Sequence, residues 1–192
     1  MKREYTNMFI LKKIYVILFD LIQTLVIAGA IFVVIYAFLF RPYQVNGLSM
    51  YPTFENGEYV LTNLISKRFT DYNRGDVIVF HSPTEKDKDF IKRIIGVTGD
   101  SVSVSEGHVY LNGKMLEEDY LPTNYVTNGG SFLSEGSQVN IPENSYFVLG
   151  DNRSNSSDSR EWGFVPQDMI IGKSFFVYWP LNRLRTVEHE EF

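Results

Sequence analysis

The chain contains no cysteine and only three histidines among its 192 residues. The absence of cysteine excludes disulfide bonds, thiolate catalysis and cysteine-ligated zinc. The three scattered histidines form no His-Glu-x-x-His pattern, which argues against a histidine-ligated metal site. The net charge of −5 offers no broad basic surface of the kind that nucleic acid requires. We therefore predict no metal, no cofactor and no nucleic-acid partner.

Charged side chains are also missing from residues 21–40, which read LIQTLVIAGAIFVVIYAFLF. A helix of about 20 residues is about 30 Å long, which is the thickness of the hydrocarbon core of a bilayer. We predict a single transmembrane helix here. A cleaved secretory signal is the alternative, because Ala28-Gly29-Ala30 imitates a cleavage site, but the uncharged run continues to Phe40 and exceeds a typical signal h-region.

The charges around this segment predict its orientation. Four basic residues precede the segment, whereas Arg41 is the only nearby basic residue after it. Cytoplasmic flanks of membrane helices carry the excess of lysine and arginine. We therefore expect residues 1–20 to be cytoplasmic, residues 21–40 to lie in membrane lipid and residues 41–192 to form an extracytoplasmic domain.

Residues 41–192 show short apolar runs bounded by glycine, proline, asparagine and aspartate, which is typical of a mostly β domain. Asn112-Gly113 predicts a tight hairpin turn, because both turn positions need positive φ. The acidic tail 188–192 is predicted to be frayed. The predicted strands are Glu58–Asn63, Asp76–His81, Phe90–Val97, Ser101–Ser105, His108–Leu111, Tyr146–Leu149 and Lys173–Tyr178.

A serine–lysine pair is the catalytic system that the sequence leaves open. The segment GLSMY around Ser49 lacks the second glycine of a nucleophile elbow, which disfavours an α/β-hydrolase, and no histidine has the setting of a catalytic triad. A buried, neutral lysine can act as the base for a serine. Lys92 and Arg93 are adjacent in an apolar strand, and the period-2 pattern does not decide which of them points inward.

Each of these pieces also has an ordinary structural interpretation. Ser49 can belong to a simple turn after the membrane segment, since Gly47 and Pro52 flank it. The Lys-Arg pair can be solvated or can protect a sheet edge. The segment 150–160, GDNRSNSSDSR, can be a polar loop closed by local hydrogen bonds.

Taken together and in order, four segments resemble the motifs of the bacterial type I signal peptidases. They are residues 47–53 (GLSMYPT), 74–80 (RGDVIVF), 92–100 (KRIIGVTGD) and 150–160 (GDNRSNSSDSR), behind an N-terminal apolar segment. The resemblance covers nearly the whole chain. It implies a signal-peptidase-like β-fold in a compact form similar to that of Gram-positive bacteria.

The resemblance also implies roles for individual residues. Ser49 is expected to be the nucleophile and Lys92 the general base. Ser156 is expected to hydrogen-bond and orient the lysine, while Asp158 and Arg160 hold the shape of the site.

Two positions depart from the family pattern. Gly47 stands where some members have a serine hydroxyl in the oxyanion hole, so the hole here is expected to rely more on backbone N–H groups, including that of Ser49. Thr98 stands where proline is common, which is expected to loosen a turn without removing a reacting group.

The implied activity is cleavage of signal peptides from secretory preproteins with small residues at positions −1 and −3, at the bacterial cell membrane and without a cofactor. There are two alternatives, of which the first is already disfavoured by the sequence. A self-cleaving repressor-type protease would use the same chemistry but carry a DNA-binding region in place of the apolar segment. A catalytically silent member of the fold would serve as an assembly or binding factor at the membrane and should have lost the serine or the lysine. Both are present, so a long distance between Ser49 Oγ and Lys92 Nζ would be needed to favour this alternative.

Overall fold

The computed structural model describes residues 2–65, 72–190 and 192. The chain divides into two compact units, Met1–Leu39 and Phe40–Phe192. The first unit is a single helix, α1 (Lys2–Leu39). Within it, Lys12–Tyr36 is long and apolar enough to cross a membrane. The predicted segment 21–40 lies in this helix except for its last residue, which begins the first strand.

The described part of the second unit consists of twelve strands and four short helical turns. The helix α2 spans Ser159–Trp162, and 3₁₀ turns span Arg153–Asn155, Gln167–Met169 and Leu181–Arg183. The strands are β1 Phe40–Gln44, β2 Tyr59–Asn63, β3 Val77–His81, β4 Asp89–Gly96, β5 Ser101–Ser105, β6 His108–Leu111, β7 Lys114–Met115, β8 Gln138–Asn140, β9 Ser145–Leu149, β10 Val165–Pro166, β11 Ile170–Trp179 and β12 Arg185–Thr186.

Two antiparallel sheets carry these strands. The larger sheet has the order β1-β2-β11-β3-β4-β9-β10, with β12 paired to β11. The smaller sheet has the order β7-β6-β5-β8. The mostly β fold class is therefore confirmed.

All seven predicted strands are present, and only β11 differs from its prediction by more than one residue at an end. The predicted hairpin turn is also confirmed, with φ of 53° at Asn112 and 78° at Gly113 between β6 and β7. The pattern missed β1, whose sequence FRPYQ contains proline and a charge, as edge strands often do. It also missed four strands of two or three residues, which are too short to show a period.

The acidic tail is not frayed, so this prediction was wrong. The Glu188 carbonyl accepts a hydrogen bond from Arg93 Nη1 at 3.1 Å, and Phe192 packs against a buried apolar cluster. Glu191 lies outside the described residues. The tail is held because its backbone satisfies a buried guanidinium and its aromatic ring covers apolar surface, which outweighs the charge of its glutamates.

Candidate active site

The strand β4 carries two adjacent basic residues that are both buried. Lys92 is 4% exposed and Arg93 is 1% exposed. The strand packs between two apolar clusters, because Ile94 belongs to one and Ile95 to another. Successive side chains of a strand point to opposite faces. Lys92 and Arg93 therefore both point into the protein, on opposite faces, which is why the period-2 pattern was ambiguous.

Lys92 lies beside Ser49. Its Nζ is 2.8 Å from Ser49 Oγ and donates a second hydrogen bond to the carbonyl of Ile91 at 3.0 Å. Burial lowers the pKa of Lys92 to about 8, although the carboxylates of Asp158 and Asp151 act in the opposite direction. We refer to Ser49 and Lys92 as the dyad.

The turn that carries Ser49 is anchored by buried apolar residues on its C-terminal side. Met50 and Phe54 are each 1% exposed, and the Phe54 N–H donates to the Met50 carbonyl at 2.9 Å. On its other side Gly47 has a φ of 101°, which favours glycine, and its N–H donates to Asn56 Oδ1 at 2.8 Å. Ser49 is thus held between a packed turn and a glycine-dependent bend.

Arg93 has a carboxylate partner on the other face of β4. Its Nε and Nη2 donate to the two oxygens of Asp151 at 3.0 and 2.9 Å. Thr53 Oγ1 also donates to Asp151, at 2.5 Å. Asp151 was not identified from the sequence. The sequence did offer one indication. A buried arginine needs a carboxylate partner, and the segment 150–160 contains two aspartates, Asp151 and Asp158.

A second residue that the sequence interpretation missed is Asn152, which is hydrogen-bonded to the backbone of the turn that carries Ser49. Its backbone N–H donates to the carbonyl of Ser49 at 3.0 Å, and its side-chain amide donates to the carbonyl of Leu48 at 3.0 Å. These two hydrogen bonds hold the backbone of Leu48 and Ser49 in place and so help to position the Ser49 hydroxyl. Nothing in the local sequence distinguishes Asn152 from an ordinary polar loop residue.

Ser156 lies close to the dyad turn but does not orient the lysine in this structure. Its Oγ is buried and has no hydrogen-bond partner among the described residues. A Cβ atom at Gly150 would lie 2.1 Å from this Oγ and 2.4 Å from the Ser49 carbonyl, so the hydroxyl packs against a glycine that cannot be replaced. The expected hydrogen bond from Ser156 to Lys92 is therefore not formed here, because the hydroxyl is packed against Gly150.

Asp158 and Arg160 form a bidentate pair within the same segment. Arg160 Nε and Nη2 donate to the two Asp158 oxygens at 2.8 and 2.9 Å. Asp158 also accepts the N–H of Gly150 at 3.1 Å, and Arg160 Nη2 donates to the carbonyl of Arg153 at 2.7 Å. These contacts tie both ends of the segment together beside the dyad.

A cleft of about 220 Å³ opens at the dyad. Its walls come from the end of β1 and the start of β4, and the lining residues include Tyr43, Val45, Val60, Val79, Phe90 and Ile91. Among the described residues, β9 pairs with β4 only from Arg93 onward, whereas β3 pairs with β4 from Asp89. The first part of β4 thus has a sheet partner on one side and presents an open edge on the other.

The chain resembles known proteins over most of its length. Residues 18–179 match the family described as signal peptidase, peptidase S26. The chain is 40% identical to signal peptidase I S of Bacillus subtilis (strain 168), over 85% of this chain and 90% of that protein. It is 36% identical to signal peptidase IB of Staphylococcus aureus, over 88% of this chain and 93% of that protein.

A solved structure of a signal peptidase I from Enterococcus faecalis V583 is 34% identical in sequence, with a TM-score of 0.46 over 54% of this chain and 97% of that chain. The family match covers most of the chain, and the two relatives exceed 30% identity over more than two thirds of it. This chain therefore belongs to the signal peptidase family, peptidase S26, and is an enzyme that hydrolyses peptide bonds.

Proposed function

We propose that this chain is a membrane-bound serine endopeptidase that removes N-terminal signal peptides from secretory preproteins, with Ser49 as nucleophile and Lys92 as general base. The observation that carries the proposal is the 2.8 Å separation of Ser49 Oγ and Lys92 Nζ. Such a distance lies within the range that direct proton transfer requires. The names of the relatives support the substrate class.

Acylation begins when the neutral amine of Lys92 accepts the proton of the Ser49 hydroxyl. With a pKa of about 8, roughly a tenth of Lys92 is neutral at pH 7. Ser49 Oγ attacks the carbonyl carbon of the scissile bond, and the resulting ammonium of Lys92 protonates the leaving amine. The mature protein departs and the signal peptide remains as an ester on Ser49.

In deacylation, the proton transfer between Ser49 and Lys92 runs in the opposite direction. Lys92 is neutral again after it has protonated the leaving group, and it removes a proton from a water molecule that attacks the ester. The proton on Lys92 returns to Ser49, and the signal peptide leaves with a new carboxyl group that loses its remaining proton to solvent. The same amine therefore serves both half-reactions, as acid–base catalysis requires.

The oxyanion that forms in each half-reaction needs hydrogen-bond donors. Gly47 has no side chain to offer, and its N–H is already bonded to Asn56 Oδ1. We assign the Ser49 N–H as a donor to the oxyanion. Gly47 then contributes through its backbone conformation, while Ser156, Asp158 and Arg160 support the surroundings of the dyad.

The cleft supports binding of the substrate as an added strand. The open edge of β4 offers backbone groups to an extended peptide, and side-chain selectivity then comes from the pockets beneath. The cavity of about 220 Å³ is small and has apolar side chains such as Val45, Val79 and Ile91 in its lining, which suits small residues at positions −1 and −3 of the preprotein.

The catalytically silent alternative is less well supported. It predicts that the serine or the lysine is lost or that the two are far apart, whereas both are present and their reacting atoms are within hydrogen-bond distance. A self-cleaving repressor-type protease is disfavoured by the apolar helix that occupies the N-terminal region.

The direct test is cleavage of a purified preprotein by the full chain in detergent. Ser49→Ala and Lys92→Met are each expected to abolish processing, because either change removes a reacting group. Ser105→Ala and Lys88→Met are matched controls on β5 and on the exposed β3–β4 connection, and both should cleave at the normal rate. A normal rate in either dyad variant would end the proposal.

We further propose that residues 21–40 anchor the enzyme in the membrane, with residues 1–20 in the cytoplasm and residues 41–192 outside. The excess of basic residues before the apolar segment supports this orientation. Deleting residues 1–39 is expected to reduce cleavage of a membrane-inserted preprotein more than cleavage of a short soluble peptide. Equal losses on both substrates would contradict a role of the anchor in finding the substrate.

A further inference from the structure

Two buried arginines are adjacent in sequence to residues of the site. Arg93 follows the base Lys92, and Arg153 follows Asn152, which holds the Ser49 turn. Arg93 and Arg153 are 1% and 2% exposed. They lie on different segments of the chain. Asp151, two residues before Arg153, already bonds the Arg93 guanidinium, and a second link joins the two arginine side chains themselves.

Tyr120 joins these two arginines. The Arg93 guanidinium lies over the Tyr120 ring, with Cζ 4.2 Å from the ring centroid. Arg153 Nη2 donates to the Tyr120 hydroxyl at 2.8 Å. One side chain thus uses its π face for one guanidinium and its oxygen for the other, and both contacts are favourable to a cation.

Glu118 completes the contact with Arg153. The Tyr120 hydroxyl donates to Glu118 Oε1 at 2.6 Å, and Arg153 Nη1 donates to Glu118 Oε2 at 2.8 Å. Arg153 Nε also donates to the carbonyl of Gly150 at 3.2 Å. The loop that contains Glu118 and Tyr120 therefore fixes Arg153, and through it the segment that holds the nucleophile.

We infer that Tyr120 is a positioning residue for the dyad, which couples the strand of the base to the segment that holds the nucleophile. Tyr120 lies outside the four motif segments and does not touch the reacting atoms. Its effect is transmitted by Arg93 on one side and by Arg153 and Asn152 on the other. This inference rests on the proposed function for its catalytic readout, and on hydrogen exchange for a readout that needs no activity.

The catalytic test compares Tyr120→Leu, Tyr120→Phe and the control Tyr125→Leu, each in the full chain in detergent. For each variant kcat and KM are measured on a preprotein. Tyr120→Leu loses both contacts and is expected to lower kcat by roughly 10- to 100-fold, because a small misplacement of reacting groups is costly. Tyr120→Phe keeps the ring over Arg93 and should lose about threefold to tenfold, as for one hydrogen bond. In both variants KM should stay within about twofold, since no substrate contact is removed.

Tyr125→Leu is the matched control. Tyr125 lies on the same loop, and in the part of the chain that the structure describes it is hydrogen-bonded to neither arginine. Its kcat should equal that of the wild type. A Tyr120→Leu variant with wild-type kcat, or with a loss equalled by Tyr125→Leu, would overturn the inference. If Tyr120→Leu does not fold, an unchanged kcat in Tyr120→Phe overturns it instead.

The second readout is hydrogen exchange at the Asn152 amide, which donates to the Ser49 carbonyl. Exchange is expected to be at least about tenfold faster in the Tyr120 variants than in Tyr125→Leu, because the segment that contains Asn152 and Arg153 opens more often. Unchanged protection would overturn the inference. If the wild type cleaves no preprotein, the proposed function fails, while the exchange result still decides whether Tyr120 positions the nucleophile segment.

Discussion

Lys92 and Arg93 are neighbours on β4 and are equally inaccessible, yet their surroundings differ. Arg93 has a bidentate carboxylate partner, Asp151, and donates further hydrogen bonds to the carbonyls of Gly75 and Glu188 at 3.0 and 3.1 Å. Lys92 is bonded to a serine hydroxyl and one carbonyl. A buried cation with a bonded counterion keeps its charge, whereas one without such a partner can give up its proton. The same strand thus provides a structural cation and a titratable base.

The largest expected difference between Lys92 and Arg93 is the effect of removing each side chain on the stability of the protein. Arg93→Met leaves the Asp151 carboxylate buried without a cation and is expected to cost about 3–5 kcal/mol of the free energy of unfolding. Lys92→Met leaves no ion unpaired and should keep or raise the melting temperature. Thermal unfolding of the full chain in detergent measures both.

The double variant Arg93→Met/Asp151→Leu is the control for this comparison. It removes both charges and should recover part of the stability that Arg93→Met loses. Equal destabilisation by Lys92→Met and Arg93→Met would show that the two buried cations do not differ in the way described.

The pH dependence of activity should report Lys92 and not Arg93. The proposed mechanism requires the neutral amine, so kcat/KM is expected to rise as the pH passes through about 8, the pKa of Lys92. The measurement is kcat/KM against pH for the wild type and for the Lys88→Met control, which should share one profile. An acid limb centred near pH 6.5, which is typical of histidine, would contradict this assignment.

Stability should also depend on pH through Lys92. Its pKa is lowered in the folded state from 10.5 to about 8, so the unfolded chain binds the proton more tightly. The free energy of unfolding should therefore rise between pH 8 and pH 10.5, and the cost of burying Lys92 is fully present below pH 8. The difference between the wild type and Lys92→Met should show this slope, and a difference that does not change with pH would contradict it.

The smallest expected effect concerns the turn at the end of β4. The Asp100 N–H donates to the Val97 carbonyl at 3.0 Å and Gly99 has a φ of 86°, which describes a turn that favours proline at the position of Thr98. Thr98→Pro is expected to stabilise the protein by about 0.4–1 kcal/mol with unchanged cleavage. Thermal unfolding checks it, and a destabilised variant would mean that the Thr98 backbone does not suit proline.

Much of the β framework was predictable because it is encoded locally. The clean alternation of Ser101–Ser105 and the Asn112-Gly113 turn each follow from the side chains of a few consecutive residues. The tail 188–192 was mispredicted for a complementary reason. Its charges suggested solvent, but a carbonyl and an aromatic ring found partners far away in sequence.

The sequence by itself determined seven of the strands and the apolar helix, because periodicity and turn residues are properties of neighbouring residues, while the resemblance of its motifs to a family implied the candidate dyad. Only the tertiary structure decided that Lys92 and Arg93 both point inward, that Asp151 balances one of them, and that Asn152 and Tyr120 join the site. These features depend on contacts between residues up to 104 positions apart, as for Asn152 and Leu48. No local pattern specifies such contacts, since they arise when buried charges and backbone groups find partners during packing.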